Sequence, residues 1–224
     1  MPQLKPTLMR CAICREASEQ LVAESAESKD PPDFDTRPGR PARSSIVHWV
    51  HACPDCGYCA NDLAVAEANV PEFVRGPIYQ AFRHNKVFPE KATQFLCYAL
   101  ILEEIGAFAD AGWTAVHAAW VCDDVKDEEH ARGCRNRAIG LFRHAKQHRQ
   151  SYMDNLYEEF SLAADLYRRS GEWEEARRAA QEALAEEHLP PVVDALLRRQ
   201  LALIDRRDAA GHSMAELRET ARKS

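Results

Sequence analysis

No stretch of this chain is apolar enough to cross a membrane as a helix. The longest apolar run, Phe95 to Leu102, stops at Glu103 and Glu104, far short of the roughly 20 residues a spanning helix needs. The first residues, MPQLKPTLMRC, lack the apolar core of a secretory signal. An excess of positive charge is also missing. Against 29 Lys and Arg stand 35 Asp and Glu, a net charge of -6, whereas general affinity for nucleic acid needs a basic surface. Residues 1–62 repeat that balance, with seven basic side chains against nine acidic ones. Catalytic signatures are missing too. There is no phosphate-cradling Gly-rich loop, no GxSxG elbow, no HExxH and no dinucleotide fingerprint. Carboxylate pairs such as Asp123-Asp124, Glu128-Glu129 and Glu174-Glu175 read as charged helix surface. These absences lean away from an enzyme, a membrane protein and a nucleic-acid binder.

Without an export signal, a cytoplasmic location is expected, where the eight cysteines stay reduced and serve as metal ligands more often than as disulfides. The chain has 46% hydrophobic and 29% charged residues with a mean hydropathy of -0.47, ordinary for a folded protein. Its 224 residues suffice for a small module joined to a larger domain.

The first third differs in kind from the rest, and a boundary is expected near residue 62, with a cysteine-bearing module at 1–62 and a helical domain at 63–224. Within the module, Ser28 to Ser45 (SKDPPDFDTRPGRPARSS) contains Pro31, Pro32, Pro38 and Pro41, which exclude helix and central strand. This loop either presents Arg37 and Arg40 to an acidic ligand or is a packed connector, and the connector is favoured. Ser45 to Cys53 (SIVHWVHAC) is β-branched and aromatic, the composition of a strand.

From Pro71 onward the apolar spacing turns helical. Helices are expected near 72–84, 90–107, 110–123, 127–149, 153–170, 173–187, 191–208 and 213–222. Pro71 and Pro191 suit first-turn positions, Asp154 or Ser151 suits a cap, and Gly106, Gly171 and Gly211 suit stops. Short connections predict antiparallel neighbours. Phe160-x2-Ala163-Ala164-x2-Tyr167, then Gly171, then Ala176-x3-Ala180-x2-Ala183, resembles the tetratricopeptide pattern. Phe95-x2-Tyr98-Ala99-x2-Leu102, then Gly106, then Ala111-x3-Ala115-x2-Ala118, is a weaker copy. Its glycine lies 65 residues before Gly171, where two regular repeats would give about 68. The fold class expected is therefore mainly α: a small zinc-ribbon-like module followed by an irregular array of helical hairpins.

The strongest chemical signal is a pair of C-x2-C motifs, Cys11-Ala-Ile-Cys14 and Cys53-Pro-Asp-Cys56. Two intervening residues let the chain turn so that both sulfurs face one ion, the ligand spacing of a tetrahedral zinc ribbon. Gly57 can take a left-handed conformation after the second pair. Arg15 holds the equivalent place after the first, at a cost of about 1–2 kcal/mol if it turns left-handed. The 38 residues between the pairs exceed the usual gap, but doubling a flexible loop costs only about 0.6 kcal/mol against apparent zinc-binding energies of about 10–16 kcal/mol. Four thiolates saturate zinc, so the site reads as structural.

Competing readings share these residues. CPDCGY is similar to the string in rubredoxin-type iron sites, which would make the chain an electron carrier, and spacing does not separate zinc from iron. Cys59 extends the second pair to an iron–sulfur-like run without the following Cys-Pro. His48 or His51 is an alternative ligand. A second metal site is conceivable at His130/Cys134 or His144/His148, each pair one helical turn apart, although solvated surface is the expectation for both. Cys97, Cys122 and Cys134 read as small buried hydrophobes.

Through Cys11, Cys14, Cys53, Pro54, Cys56, Gly57, Tyr58 and the helical tail, the chain resembles an uncharacterised bacterial family of unknown function. That family joins an N-terminal cysteine pair, a CPxCGY-type pair and a helical, often tetratricopeptide-like tail. Arg15 and Cys59 depart from its pattern, and the resemblance implies the architecture and the metal rather than an activity. The function expected is a zinc-binding interaction or scaffold protein whose helical groove takes a protein or peptide partner. Asp165, Arg168 and Arg169 are expected toward that groove or the solvent.

Overall fold

The computed structural model describes residues 3–24 and 27–217. It is mainly helical, with a small cysteine-rich region preceding the helical hairpins. Strands β1 (Leu4–Arg10) and β2 (Ala17–Ala23) form an antiparallel hairpin in which Leu4 faces Ala23 and Arg10 faces Ala17. The shorter β3 (His51–Ala52) and β4 (Cys59–Ala60) form a second one. Eight α-helices follow among the described residues: α1 (Val70–Arg75), α2 (Pro77–His84), α3 (Glu90–Glu104), α4 (Phe108–Asp124), α5 (Glu128–Gln147), α6 (Leu156–Ser170), α7 (Trp173–Leu184) and α8 (Pro191–Asp205).

Three expectations are corrected. Residues 72–84 are not one helix: Gly76 takes an extended ψ of 155° and Pro77 opens a new helix, because proline cannot donate into the preceding turn. The segment after Ser44 is not a strand up to Cys53. It winds into a 3-10 helix, Ala42–His48, closed by the Trp49 indole N–H donating to Ser45 Oγ at 3.2 Å. A local side-chain bond overrides β-propensity where only His51 and Ala52 have a partner strand. The cap of α6 is Asn155, whose side chain accepts from the Glu158 N–H at 3.1 Å, rather than Asp154 or Ser151. The helix expected at 213–222 falls partly outside the described residues, and its positions 215–217 are helical.

By backbone contacts the chain separates into two compact units, one of residues 1–27 and 44–150, the other of residues 28–43 and 151–224. The compositional boundary near residue 62 is a different cut, and marks where strands give way to helices. In the first unit, α3, α4 and α5 pack in succession. Small side chains bring α4 and α5 close: Ala111, Ala115, Ala118 and Ala119 on one, Ala131, Ala138 and Ala145 on the other, all fully buried. Gly112 sits under the Phe142 ring, where a Cβ would come within 2.5 Å of it. Gly112→Ala therefore exchanges a helix-propensity gain of about 1 kcal/mol for an overpacking cost of about 1–3 kcal/mol. A net loss of roughly 1 kcal/mol is expected by urea denaturation.

In the second unit, α6, α7 and α8 bury Ala164, Ala179, Ala180, Ala183 and Leu197, with Phe160 and Tyr167 packed against them. Gly171 ends α6 with φ 81°, the left-handed stop expected of it. The Pro-rich loop is a packed connector here. Phe34 is buried with Leu196 and Leu203, its N–H donates to the His212 carbonyl at 2.9 Å, and Asp35 pairs with Arg169 at 3.0 Å. Arg37 is buried while Arg40 is exposed. Asp165, Arg168 and Arg169 do not face a groove or the solvent. Asp165 and Arg168 are 1% and 0% exposed and pair at 2.7 Å. The Arg168 guanidinium also donates to the carbonyls of Asp208 and Ala210. The core contains polar groups that the charge pattern alone assigns to the outside.

Candidate metal centre

Each C-x2-C motif folds as the same knuckle. In the first, the Arg15 N–H donates to the Cys11 carbonyl at 2.9 Å and the Cys11 N–H to the Glu16 carbonyl at 2.9 Å. In the second, the Gly57 N–H donates to the Cys53 carbonyl at 3.0 Å and the Cys53 N–H to the Tyr58 carbonyl at 2.8 Å. The fifth residue of each loop is left-handed, Arg15 at φ 67° and Gly57 at φ 75°, so the geometry demanded of Arg15 is the one it adopts. β1 ends directly before Cys11 and β3 directly before Cys53, and β2 and β4 follow the two loops. Each knuckle is thus the connecting turn of a hairpin.

The two knuckles bring their sulfurs together. Cys11 Sγ lies 3.6 Å from Cys56 Sγ, and Cys14 Sγ lies 3.5 Å from Cys53 Sγ. All four sulfurs fall within 4.8 Å of one another. A tetrahedral ion with metal–sulfur bonds of about 2.3 Å requires sulfur–sulfur separations of about 3.8 Å. The cluster matches that size and crosses the chain, each close contact joining one motif to the other. Cys11 and Cys53 are buried, while Cys14 and Cys56 are partly exposed. Burial pushes the Cys56 thiol well above its ordinary range, so an ion binding there displaces a proton. The Ile13 N–H donates to Cys11 Sγ at 3.4 Å.

The surrounding helices buttress this centre. Arg75 of α1 donates to the Ile13 carbonyl at 3.2 Å. From α2, the Tyr79 hydroxyl donates to the Gly57 carbonyl at 2.8 Å and the Gln80 amide to the Cys56 carbonyl at 3.1 Å. The Arg83 side chain lies across Gly57, where a Cβ would come 2.1 Å from Arg83 Nε. Two guanidinium groups therefore flank the four-sulfur group, which as four thiolates around a divalent ion would carry a formal charge of minus two. Gly57→Ala adds a left-handed penalty of about 1–2 kcal/mol and evicts Arg83. Metal affinity is expected to fall at least tenfold in a chelator competition.

Sequence reading singled out all four of these cysteines. The other candidates lie elsewhere. Cys59 is 3% exposed and outside the four-sulfur group. His51 sits in β3 with its imidazolium disfavoured by burial and by Lys91. His130 bonds the Asp127 carboxylate at 2.7 Å at the start of α5. His144 and His148 both pack against Phe108, at centroid distances of 5.6 and 4.5 Å. Among the described residues, neither histidine pair gathers a third ligand. What sequence reading missed is the α1–α2 buttress, since Arg75, Tyr79, Gln80 and Arg83 carry no motif.

The fold and the site together define a helical protein with a four-cysteine group able to hold a metal ion. No protein-family model, curated protein or solved structure matches this chain. Among the described residues, no helix is long and apolar enough to cross a membrane.

Proposed function

We propose that the chain is a zinc-binding interaction or scaffold protein in which Cys11, Cys14, Cys53 and Cys56 hold a structural ion. The observation that carries this reading is the four-sulfur cluster, every member within 4.8 Å of the others. Four thiolates leave zinc no open position for water or substrate, so the ion's work is to stabilise the fold. The hairpins need it. Leu8 is 74% exposed and β1 is mostly exposed along its length, and a two-stranded ribbon without a core is marginal by itself.

The helical hairpins supply the interaction surface in this proposal, with α6 and α7 as a tetratricopeptide-like pair presenting a groove to a protein or peptide partner. Its support is the alanine spacing on α7, whose Ala176, Ala180 and Ala183 are fully buried. Membership of the uncharacterised paired-cysteine family, a bacterial origin and a cytoplasmic location belong to the same proposal.

Metal analysis of the purified protein tests the centre. One zinc per chain, colourless and lost on acidification, is the expected result. A coloured protein carrying iron would replace the structural reading with a rubredoxin-like electron carrier. For the partner, affinity capture is expected to return a reproducible protein that depends on exposed residues of α7 such as Arg178, which is 65% exposed. Arg168 and Arg169 are the wrong residues to reverse, because both are internal.

A further inference from the structure

The two close sulfur contacts of the cluster share a pattern of exposure. Cys14 is partly exposed and its sulfur lies 3.5 Å from that of buried Cys53. Cys56 is partly exposed and its sulfur lies 3.6 Å from that of buried Cys11. Each couple therefore joins a residue that solvent reaches to one that it does not, and its members come from different loops. A reagent in solution meets Cys14 and Cys56 first, while Cys53 and Cys11 lie behind them, each 1% exposed.

Sulfurs that serve as metal ligands are thiolates, the nucleophilic form. A disulfide bond measures about 2.05 Å, so each couple closes by about 1.5 Å to make one. The frame that keeps the two turns opposed does not depend on the sulfurs. Arg75 donates to the Ile13 carbonyl of the first loop, while Gln80 and Tyr79 donate to the Cys56 and Gly57 carbonyls of the second. These bonds hold the loops face to face while the sulfurs change partners.

We propose, on the reading of these residues as one metal-holding group, that they are also an oxidation site. A small hydroperoxide is the co-reactant, and the products are two cross-loop disulfides, Cys14–Cys53 and Cys11–Cys56. The Cys14 thiolate attacks one peroxide oxygen. The O–O bond breaks, an S–O bond forms, and the departing oxygen takes a proton from solvent, giving a sulfenic acid and an alcohol or water. The Cys53 thiolate then attacks the sulfenic sulfur. The S–O bond breaks, the S–S bond forms, and hydroxide leaves to become water with a second solvent proton. Cys56 and Cys11 react in the same order. Each couple loses two electrons and reduces one hydroperoxide. The four donors are consumed, so the ion is released, yet covalent links still tie the two hairpin turns together. A disulfide within either loop would free the ion and leave the turns untied.

The test uses the full metal-loaded chain and hydrogen peroxide at low excess. Samples are quenched with N-ethylmaleimide under denaturing conditions and mapped without reduction by peptide mass spectrometry. Trypsin leaves Cys11 and Cys14 on residues 11–15, and Cys53 and Cys56 on residues 44–75. A cross-loop bond therefore joins two peptides, and a within-loop bond joins none. An Asp-directed protease cuts before Asp55, between Cys53 and Cys56, and so assigns each link. The expected products are Cys14–Cys53 and Cys11–Cys56, accumulating in step with metal captured by a chromogenic chelator. Cys59→Ser is expected to give the same links, because Cys59 lies outside the four-sulfur group. Within-loop bonds as the first products overturn the proposal, as does oxidation of Cys59, Cys97, Cys122 or Cys134 ahead of the four. A chain that holds no metal but forms the cross-loop bonds removes the zinc reading and leaves the oxidation site standing. A zinc-loaded chain whose four cysteines stay reduced does the reverse.

Discussion

Serine at Cys53 is expected to abolish metal retention and to loosen both knuckles together. Cys53 is 1% exposed and its sulfur lies 3.5 Å from that of Cys14, so its removal breaks a cross-chain contact and not only its own loop. Apparent binding energies of structural zinc are about 10–16 kcal/mol, and in a site formed only by folding that energy stabilises the fold. Losing one of four ligands forfeits a large share of it. In a competition with a chromogenic chelator, wild type is expected to hold its ion at concentrations where Cys53→Ser releases it fully. Amide exchange should then rise at residues 11–16 and 53–58, where the knuckle hydrogen bonds lie, and stay low in the alanine-packed core of α4 and α5. A Cys59→Ser control should leave metal binding intact, because Cys59 is outside the cluster. Equal metal content in wild type and Cys53→Ser would rule out the four-sulfur centre. Acidification acts in the same direction, since each ligand must lose a proton to bind, so affinity falls as pH falls.

The second large effect is expected at Arg168. Its side chain is wholly buried and bonds Asp165 at 2.7 Å, the Ala210 carbonyl at 2.9 Å and the Asp208 carbonyl. Arg168→Ala leaves the Asp165 carboxylate, itself 1% exposed, without this cation, and removes two donors from the 208–210 segment. Breaking a buried pair by deleting one partner costs about 3–5 kcal/mol. The variant is expected to lose that much in urea denaturation, visible as a lower midpoint at unchanged slope. Arg168→Met with Asp165→Leu should recover part of the loss, because replacing both charges removes the stranded carboxylate. If the single variant loses less than about 1 kcal/mol, the pair is not the internal strut described here.

How much of this was legible beforehand differs by element. The four-cysteine group was readable because it depends on local chemistry: two C-x2-C loops are ligand-spaced wherever they fall, and Gly57 marks the required turn. The helices of the second half were readable because apolar and small residues recur at helical spacing, and Gly171 stops α6 where expected. The strand expected at Ser45 to Cys53 was a misreading of composition. β-branched residues form strands when a partner lies alongside, and here a Trp49–Ser45 hydrogen bond closes a helical turn instead. The Pro-rich loop declared what it is not, neither helix nor central strand, while its role as a wall of the α8 core required seeing Phe34 beside Leu196 and Leu203.

By itself, the sequence determined the predominance of helix and which four cysteines carry ligand spacing, because each depends on residue type and spacing within one segment. Only the tertiary structure decided where the charges of α6 go. Arg168 and Arg169 are adjacent basic residues that read as surface, yet one meets Asp165 and the 208–210 carbonyls and the other meets Asp35, 134 residues away. It also decided which cysteines meet. Sulfurs distant along the chain become neighbours only when the turns of two hairpins face each other. The physical reason is the same for both: an electrostatic or thiol partner acts at contact distance, and contacts between remote segments are created by packing, which no local pattern encodes.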